Sequence, residues 1–112
     1  MRTIISHIDV RLAEKRSHEG RRRPISYRVV ERETGVPQTT VSDLASNQLL
    51  EYPEAILVCL CDYLECPLYG PDGLLEIVDM PEEKLSERRL VARQRLQQRK
   101  ERLSGVVSDS EE

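Results

Sequence analysis

The segment that most constrains the fold is Thr34-Gly35-Val36-Pro37, which separates two short stretches with helical spacing. Gly35 suits the left-handed backbone position that ends a helix, and Pro37 suits the start of the next one. Apolar residues lie at fixed offsets from Gly35: Val30 five residues before it, Val36 one after, Val41 six after and Leu44 nine after. This pattern predicts a helix-turn-helix whose two helices are locked at a steep angle.

The second of these helices, about residues 37–46, is polar except for Val41, Leu44 and Ala45. Its outer face therefore carries short polar side chains of a size that fits the major groove of DNA: Gln38, Thr39, Thr40, Ser42 and Asp43. The loop before the first helix of the pair contains three consecutive arginines, Arg21, Arg22 and Arg23. Three guanidinium groups near a helix start are suited to binding phosphates, although a solvated loop is the alternative.

Besides the helix at 37–46, four stretches of the chain have helical patterns, and one of them is the first helix of the pair around Gly35. The expected helices are residues 5–17, a short helix after the N-cap Ser26, a mostly surrounded helix that begins at Pro53-Glu54 and ends near Leu64, and a fifth helix from Gly73 to about Val78. Together with the helix at 37–46, they predict an all-α domain over residues 1–80. In a chain of 112 residues this leaves too little for a two-lobed enzyme with a cleft, and we expect no enzymatic activity.

A long, basic C-terminal helix is expected over residues 81–104, followed by a flexible acidic tail at 105–112. Four apolar residues in the helix recur at spacings of seven, four and seven, which fits a thin coiled-coil seam at a dimer interface: Leu85, Ala92, Leu96 and Leu103. Arg89 and Arg99 interrupt this seam. Three interpretations therefore stay open: a dimerisation helix, a basic helix lying along DNA, and a solvated single helix.

Charge is segregated along the chain. Residues 49–83 carry nine acidic side chains and no Lys or Arg, whereas residues 84–103 carry eight basic side chains and two acidic ones. A polyanion would therefore meet the first half of the chain or the basic helix, and not the middle. A basic helix could also dock on the acidic middle segment of its own chain or of a neighbour.

No cofactor or metal site is expected. Cys59, Cys61 and Cys66 lack a fourth ligand nearby, and they are better interpreted as small buried residues in a reducing compartment. No apolar run approaches the roughly 20 residues that span a bilayer, and no export signal is recognisable at the N-terminus. We therefore expect a cytoplasmic protein without a membrane partner.

The run Ile25 to Leu44, with its Thr34-Gly35-Val36 turn and the sequence Thr40-Val41-Ser42-Asp43-Leu44, resembles the helix-turn-helix of the Cro and lambda-repressor family, also called the Xre family. The similarity extends over roughly residues 5–78. It implies a five-helix lambda-repressor-like domain that binds operator DNA, usually as a homodimer, and regulates transcription.

The resemblance also implies roles for individual residues. Gln38, Thr39 and Thr40 match the positions at which the family contacts bases, and Asp43 lies one turn further on. Five residues match the usual phosphate contacts, at the start of the first helix of the pair and in the loop after the second: Ser26, Tyr27, Arg28, Asn47 and Gln48.

One residue departs from the family pattern. Glu31 stands where the family commonly places a small residue, close to the contact between the two helices. Either the helices are slightly splayed, or the carboxylate turns sideways to pair with Arg28 or Arg32.

The sequence thus predicts a sequence-specific regulator that binds double-stranded DNA, most simply as a homodimer. The alternative is a protein-interaction module, similar to an antitoxin or an accessory subunit of a larger complex, that holds a protein partner through residues 81–104.

Overall fold

The computed structural model of the chain describes residues 1–111, with side chains described through residue 104. Within these residues, five α-helices and a two-stranded sheet follow the order β1 (Arg2–Ser6), α1 (Ile8–Glu19), α2 (Tyr27–Thr34), α3 (Gln38–Ala45), α4 (Glu54–Leu64), β2 (Leu75–Asp79), a 3-10 turn (Glu82–Lys84) and α5 (Glu87–Glu111). The expected acidic tail, residues 105–112, lies outside the residues whose side chains are described.

The domain is mostly helical, as expected, but it is not all-α, because its two ends pair as strands. β1 and β2 are antiparallel, with Ile4 opposite Ile77. The fifth helix expected from Gly73 to Val78 is therefore replaced by β2, and the first helix begins at Ile8 and not at residue 5. Both strands are rich in β-branched residues, which favour extended backbone once a partner strand is available.

A single core joins the sheet to the first four helices. Seven of its aliphatic side chains are fully enclosed: Ile8, Val30, Val41, Leu44, Leu60, Leu74 and Leu75. Leu74 and Leu75 are thus buried as expected, but Leu74 lies in a turn and Leu75 in a strand, and neither lies in a helix. The turn before them requires Gly73, since a Cβ there would lie 2.7 Å from the carbonyl oxygen of Tyr69.

Helix α4 is less enclosed than its apolar sequence predicts. Leu60 and Leu64 are buried, but Val58 is about half exposed, and the remaining apolar side chains are partly accessible. One face of α4 is therefore apolar and accessible, whereas a central, mostly surrounded helix was expected.

Helices α2 and α3 form on either side of Gly35, as the sequence predicts. The Ser26 hydroxyl accepts a hydrogen bond from the Val29 amide at 3.3 Å and begins α2. Gly35 ends α2 with φ of 83°, in the left-handed region. Pro37 directly precedes α3, as expected for a residue that starts a helix.

The C-terminal segment is helical but not continuous from residue 81. The 3-10 turn at Glu82–Lys84 is followed by extended backbone at Leu85, and α5 begins only at Glu87. Leu85 is buried in the domain, and every residue from 94 to 104 is exposed. Within residues 1–111, no helix has the length and apolar character needed to cross a membrane.

Candidate nucleic-acid interface

Helix α3 presents a polar face to solvent while its opposite side is held in the core. Val41 and Leu44 are fully buried, and they fix the helix against α1 and α2. On the outer side, Gln38, Thr39 and Ser42 are exposed, and Thr40 and Asp43 are partly exposed. The four side chains expected to contact bases, Gln38, Thr39, Thr40 and Asp43, therefore lie on one accessible helix. Their hydroxyl, amide and carboxylate groups can donate to and accept from base edges.

Glu31 holds the start of α3. Its carboxylate oxygen Oε2 accepts a hydrogen bond from the backbone amide of Gln38 at 2.9 Å. The expectation that this carboxylate pairs with Arg28 or Arg32 is therefore wrong. Pro37, which precedes α3, provides no side-chain cap, and a helix N-terminus has unpaired amides and a positive dipole end. Glu31 supplies the missing acceptor from the neighbouring helix and thereby couples α2 to α3.

The arginine-rich loop is held by hydrogen bonds to its backbone. The guanidinium of Arg16 donates to the carbonyl oxygen of Arg21 at 3.3 Å and to that of Arg22 at 2.8 Å. The loop is thus attached to the last turns of α1. Arg22 and Arg23 are exposed, and their guanidinium groups remain candidates for phosphate contact.

Arg21 has a structural role in the same loop. It forms a bidentate ion pair with Glu33 on α2, at 2.9 and 3.0 Å, and it also pairs with Glu19 at 2.8 Å. The Tyr63 hydroxyl donates to Glu33 at 2.7 Å. The Arg21 guanidinium and the Tyr63 hydroxyl together lower the pKa of Glu33 to about 2. Arg21 is therefore engaged within the chain, unlike the two arginines that follow it.

The remaining phosphate candidates fall into two groups. Arg28 is exposed and Gln48 is partly exposed. Ser26, Tyr27 and Asn47 already make contacts within the chain. Ser26 caps α2, as described above. The Tyr27 hydroxyl donates to Asp9 at 2.6 Å. Burial is the main cause that raises the pKa of Tyr27 to about 12, and the hydrogen bond to Asp9 is the second cause.

Asn47 adopts a left-handed conformation with φ of 60°, and its Oδ1 accepts from the Ser6 amide at 2.9 Å. This contact fastens the loop after α3 to the end of β1. Only the side-chain amide nitrogen of Asn47 is left as a donor to a ligand.

The four residues expected at a dimer seam are in different surroundings. Leu85 precedes α5 and is buried within its own chain. The expectation of a continuous helical seam that starts at Leu85 is therefore wrong. Ala92 is partly buried at the base of α5. Leu96 and Leu103 are 66% and 52% exposed.

Arg89 is a residue that sequence reasoning misjudged. It is 7% exposed, and its guanidinium donates to four acceptors: Thr3 Oγ1 at 2.9 Å, the Ile4 carbonyl, the Leu49 carbonyl at 3.3 Å and the Tyr52 hydroxyl at 2.6 Å. The contacts connect the base of α5 to β1 and to the loop between α3 and α4. The burial of Arg89 could have been predicted from its position between Leu85 and Ala92 on the apolar side of the segment. An arginine at such a position needs buried acceptors.

Comparison of the chain with protein-family models, curated proteins and solved structures finds no match.

Proposed function

We propose that the chain binds double-stranded DNA through α3 and acts as a sequence-specific transcriptional regulator. The observation that carries the proposal is the asymmetry of α3, since Val41 and Leu44 are fully buried and Gln38 and its neighbours are accessible. In a helix-turn-helix, the second helix enters the major groove and reads base edges from its N-terminal residues. The proposed regulator would act by occupying an operator and obstructing or assisting initiation.

In this proposal, base contacts and phosphate contacts are separate. Gln38 is suited to bidentate pairing with adenine, and Asp43 can accept from the amino group of cytosine. Arg22, Arg23 and Arg28 are exposed basic side chains near the start of α2, where phosphate contacts would set the register on the duplex. Arg21 is assigned to holding the loop, because both its carboxylate partners lie within the chain.

The test is selection of bound fragments from random DNA, followed by titration of the selected site and of a scrambled one. We expect Gln38→Ala to weaken binding to the selected site by about 1–3 kcal/mol, with little effect on the scrambled site. Ser17→Ala, at an exposed polar position on α1 outside every proposed contact surface, is the control. Equal losses on both DNAs would contradict a base-reading role for Gln38.

The phosphate contacts have a different signature. Arg22→Ala should weaken binding to both DNAs alike and reduce the slope of log affinity against log salt by about one. Arg21→Ala should act mainly through stability, because its guanidinium pairs within the chain. If no DNA is retained above the non-specific level, the proposal fails.

The rival proposal is a protein-interaction module that uses residues 81–104. The exposure of Leu96 and Leu103 on a basic helix favours it, because exposed leucines beside arginines are typical of a partner-binding surface. The two proposals are compatible, since a dimeric regulator also needs such a surface.

A further inference from the structure

The distal part of α5 carries an apolar face without a partner in the described part of its own chain. Leu96 and Leu103 are seven residues apart, which places them on one side of the helix about 10 Å from each other. Both are more than half exposed. Arg99 lies on the same side between them, and Arg95, Lys100 and Arg102 flank it. The face therefore combines two large apolar side chains with strong positive charge.

The accessible face of α4 has the complementary character. Leu57, Val58 and Cys61 line a groove of about 370 Å³ with Tyr52 and Leu68, and Glu54 and Asp62 lie in its wall. Val58 is 52% exposed. No Lys or Arg occurs between residues 49 and 83, so a cation entering this groove meets only carboxylates from that segment. An apolar groove with an acidic rim fits a helix that carries leucines and arginines.

Pairing of two α5 helices with each other is less favourable. In such a pair Arg99 would face a second basic helix along the seam, and like charges brought together in an interface cost energy. Arg89 is also not available for a seam between two α5 helices, because its guanidinium is bound to β1 and to Tyr52 within the same chain. The charge pattern thus favours an acidic partner for α5.

The helix cannot place its distal leucines on its own α4. α5 is continuous from Glu87 through Ser104, and its base is held at Arg89, so its exposed residues 94–104 lead away from the domain. Tyr52 lines both the α4 groove and the pocket at the base of α5 that includes Ala92 and Leu96. The α4 groove therefore adjoins the base of α5, so the groove and the helix can belong to one self-complementary patch of the kind that a two-fold interface uses.

We propose that the chain forms a reciprocal homodimer in which residues 93–104 of one copy lie in the α4 groove of the other. Leu96 and Leu103 pack on Leu57, Val58 and Cys61, and Arg99 meets Asp62. Because each copy contributes both surfaces, the contact occurs twice. A stable interface buries roughly 1,200–2,000 Å² in total, and the repetition doubles the area that one helix face contributes. This inference goes beyond the proposed function, since it requires no DNA.

The experiment measures the mass of the full chain across a concentration series by analytical ultracentrifugation, without DNA. The wild-type chain should dimerise, and Val58→Arg should weaken the dimer by about tenfold or more, as expected for a central contact. Val10→Arg is the matched control, because Val10 on α1 is 50% exposed and lies outside the proposed interface. Leu96→Glu should weaken the dimer as Val58→Arg does.

A charge exchange tests the pairing itself. Asp62→Arg and Arg99→Glu should each weaken the dimer, and the double variant should recover most of the lost affinity. A wild-type chain that stays monomeric at every concentration overturns the proposal. So does a dimer that is lost in Leu96→Glu but is unchanged in Val58→Arg, because that result assigns the leucines to a seam between two α5 helices. Because DNA is absent, loss of DNA binding alone cannot be mistaken for either outcome.

Discussion

Replacement of Arg89 by methionine tests what holds the basic helix to the domain. The side chain is 7% exposed, and it donates to acceptors on β1, in the loop after α3 and at Tyr52. Methionine keeps much of the volume but removes every donor. The Tyr52 hydroxyl and the Ile4 carbonyl then lose a charged partner in a partly buried site.

The size of the effect follows from those contacts. A hydrogen bond to a charged group contributes about 1.5–3 kcal/mol, and leaving a buried acceptor unpaired adds a further cost. Relief from burying a guanidinium without a carboxylate partner offsets part of the loss. We therefore expect Arg89→Met to lower the free energy of unfolding by about 2–4 kcal/mol, a large share of the stability of a small domain.

Urea denaturation of the full chain measures this change, and amide hydrogen exchange locates it. Amides of β1 and of the first turns of α5 should lose more protection than those of α3. Arg88→Met, at an exposed position on the same helix and outside residues 93–104, should change the stability by no more than about 0.5 kcal/mol. If the two variants unfold at the same urea concentration, Arg89 does not anchor α5 and the reasoning is refuted.

Two further predictions concern the supports of α2 and α3. Glu31→Ala removes the acceptor of the Gln38 amide and should lower the free energy of unfolding by about 0.5–2 kcal/mol in urea titrations. Glu31→Gln keeps an acceptor oxygen and should lose less, so equal losses would exclude the capping role. The pKa of Glu33 is lowered from 4.5 to about 2, chiefly by Arg21, so this carboxylate stabilises the fold above pH 4.5 and the contribution disappears as the pH falls towards 2. Arg21→Ala should therefore flatten the pH dependence of thermal unfolding in that window, and an unchanged slope would count against the ion pair.

Those parts of the fold whose signals act within one or two helical turns were predictable from the residues alone. The Ser26 cap, the left-handed Gly35 and the spacing of Val41 and Leu44 were all predictable, because each depends on neighbouring backbone or on one helix face. The polar outer face of α3 follows from the same periodicity. Its use as a DNA-reading surface stays a proposal.

Features that depend on a partner far along the chain became visible only in the folded molecule. Ile5, Ile8 and Leu12 have helical spacing, but Ile5 lies in a strand. The reason is that β2, about 70 residues later in the chain, provides the partner strand for its backbone. The acceptors of Arg89 come from segments 37 to 86 residues away. Local patterns carry no information about such pairings, since a strand edge or a buried cation is stabilised only when the chain has already brought its partners together.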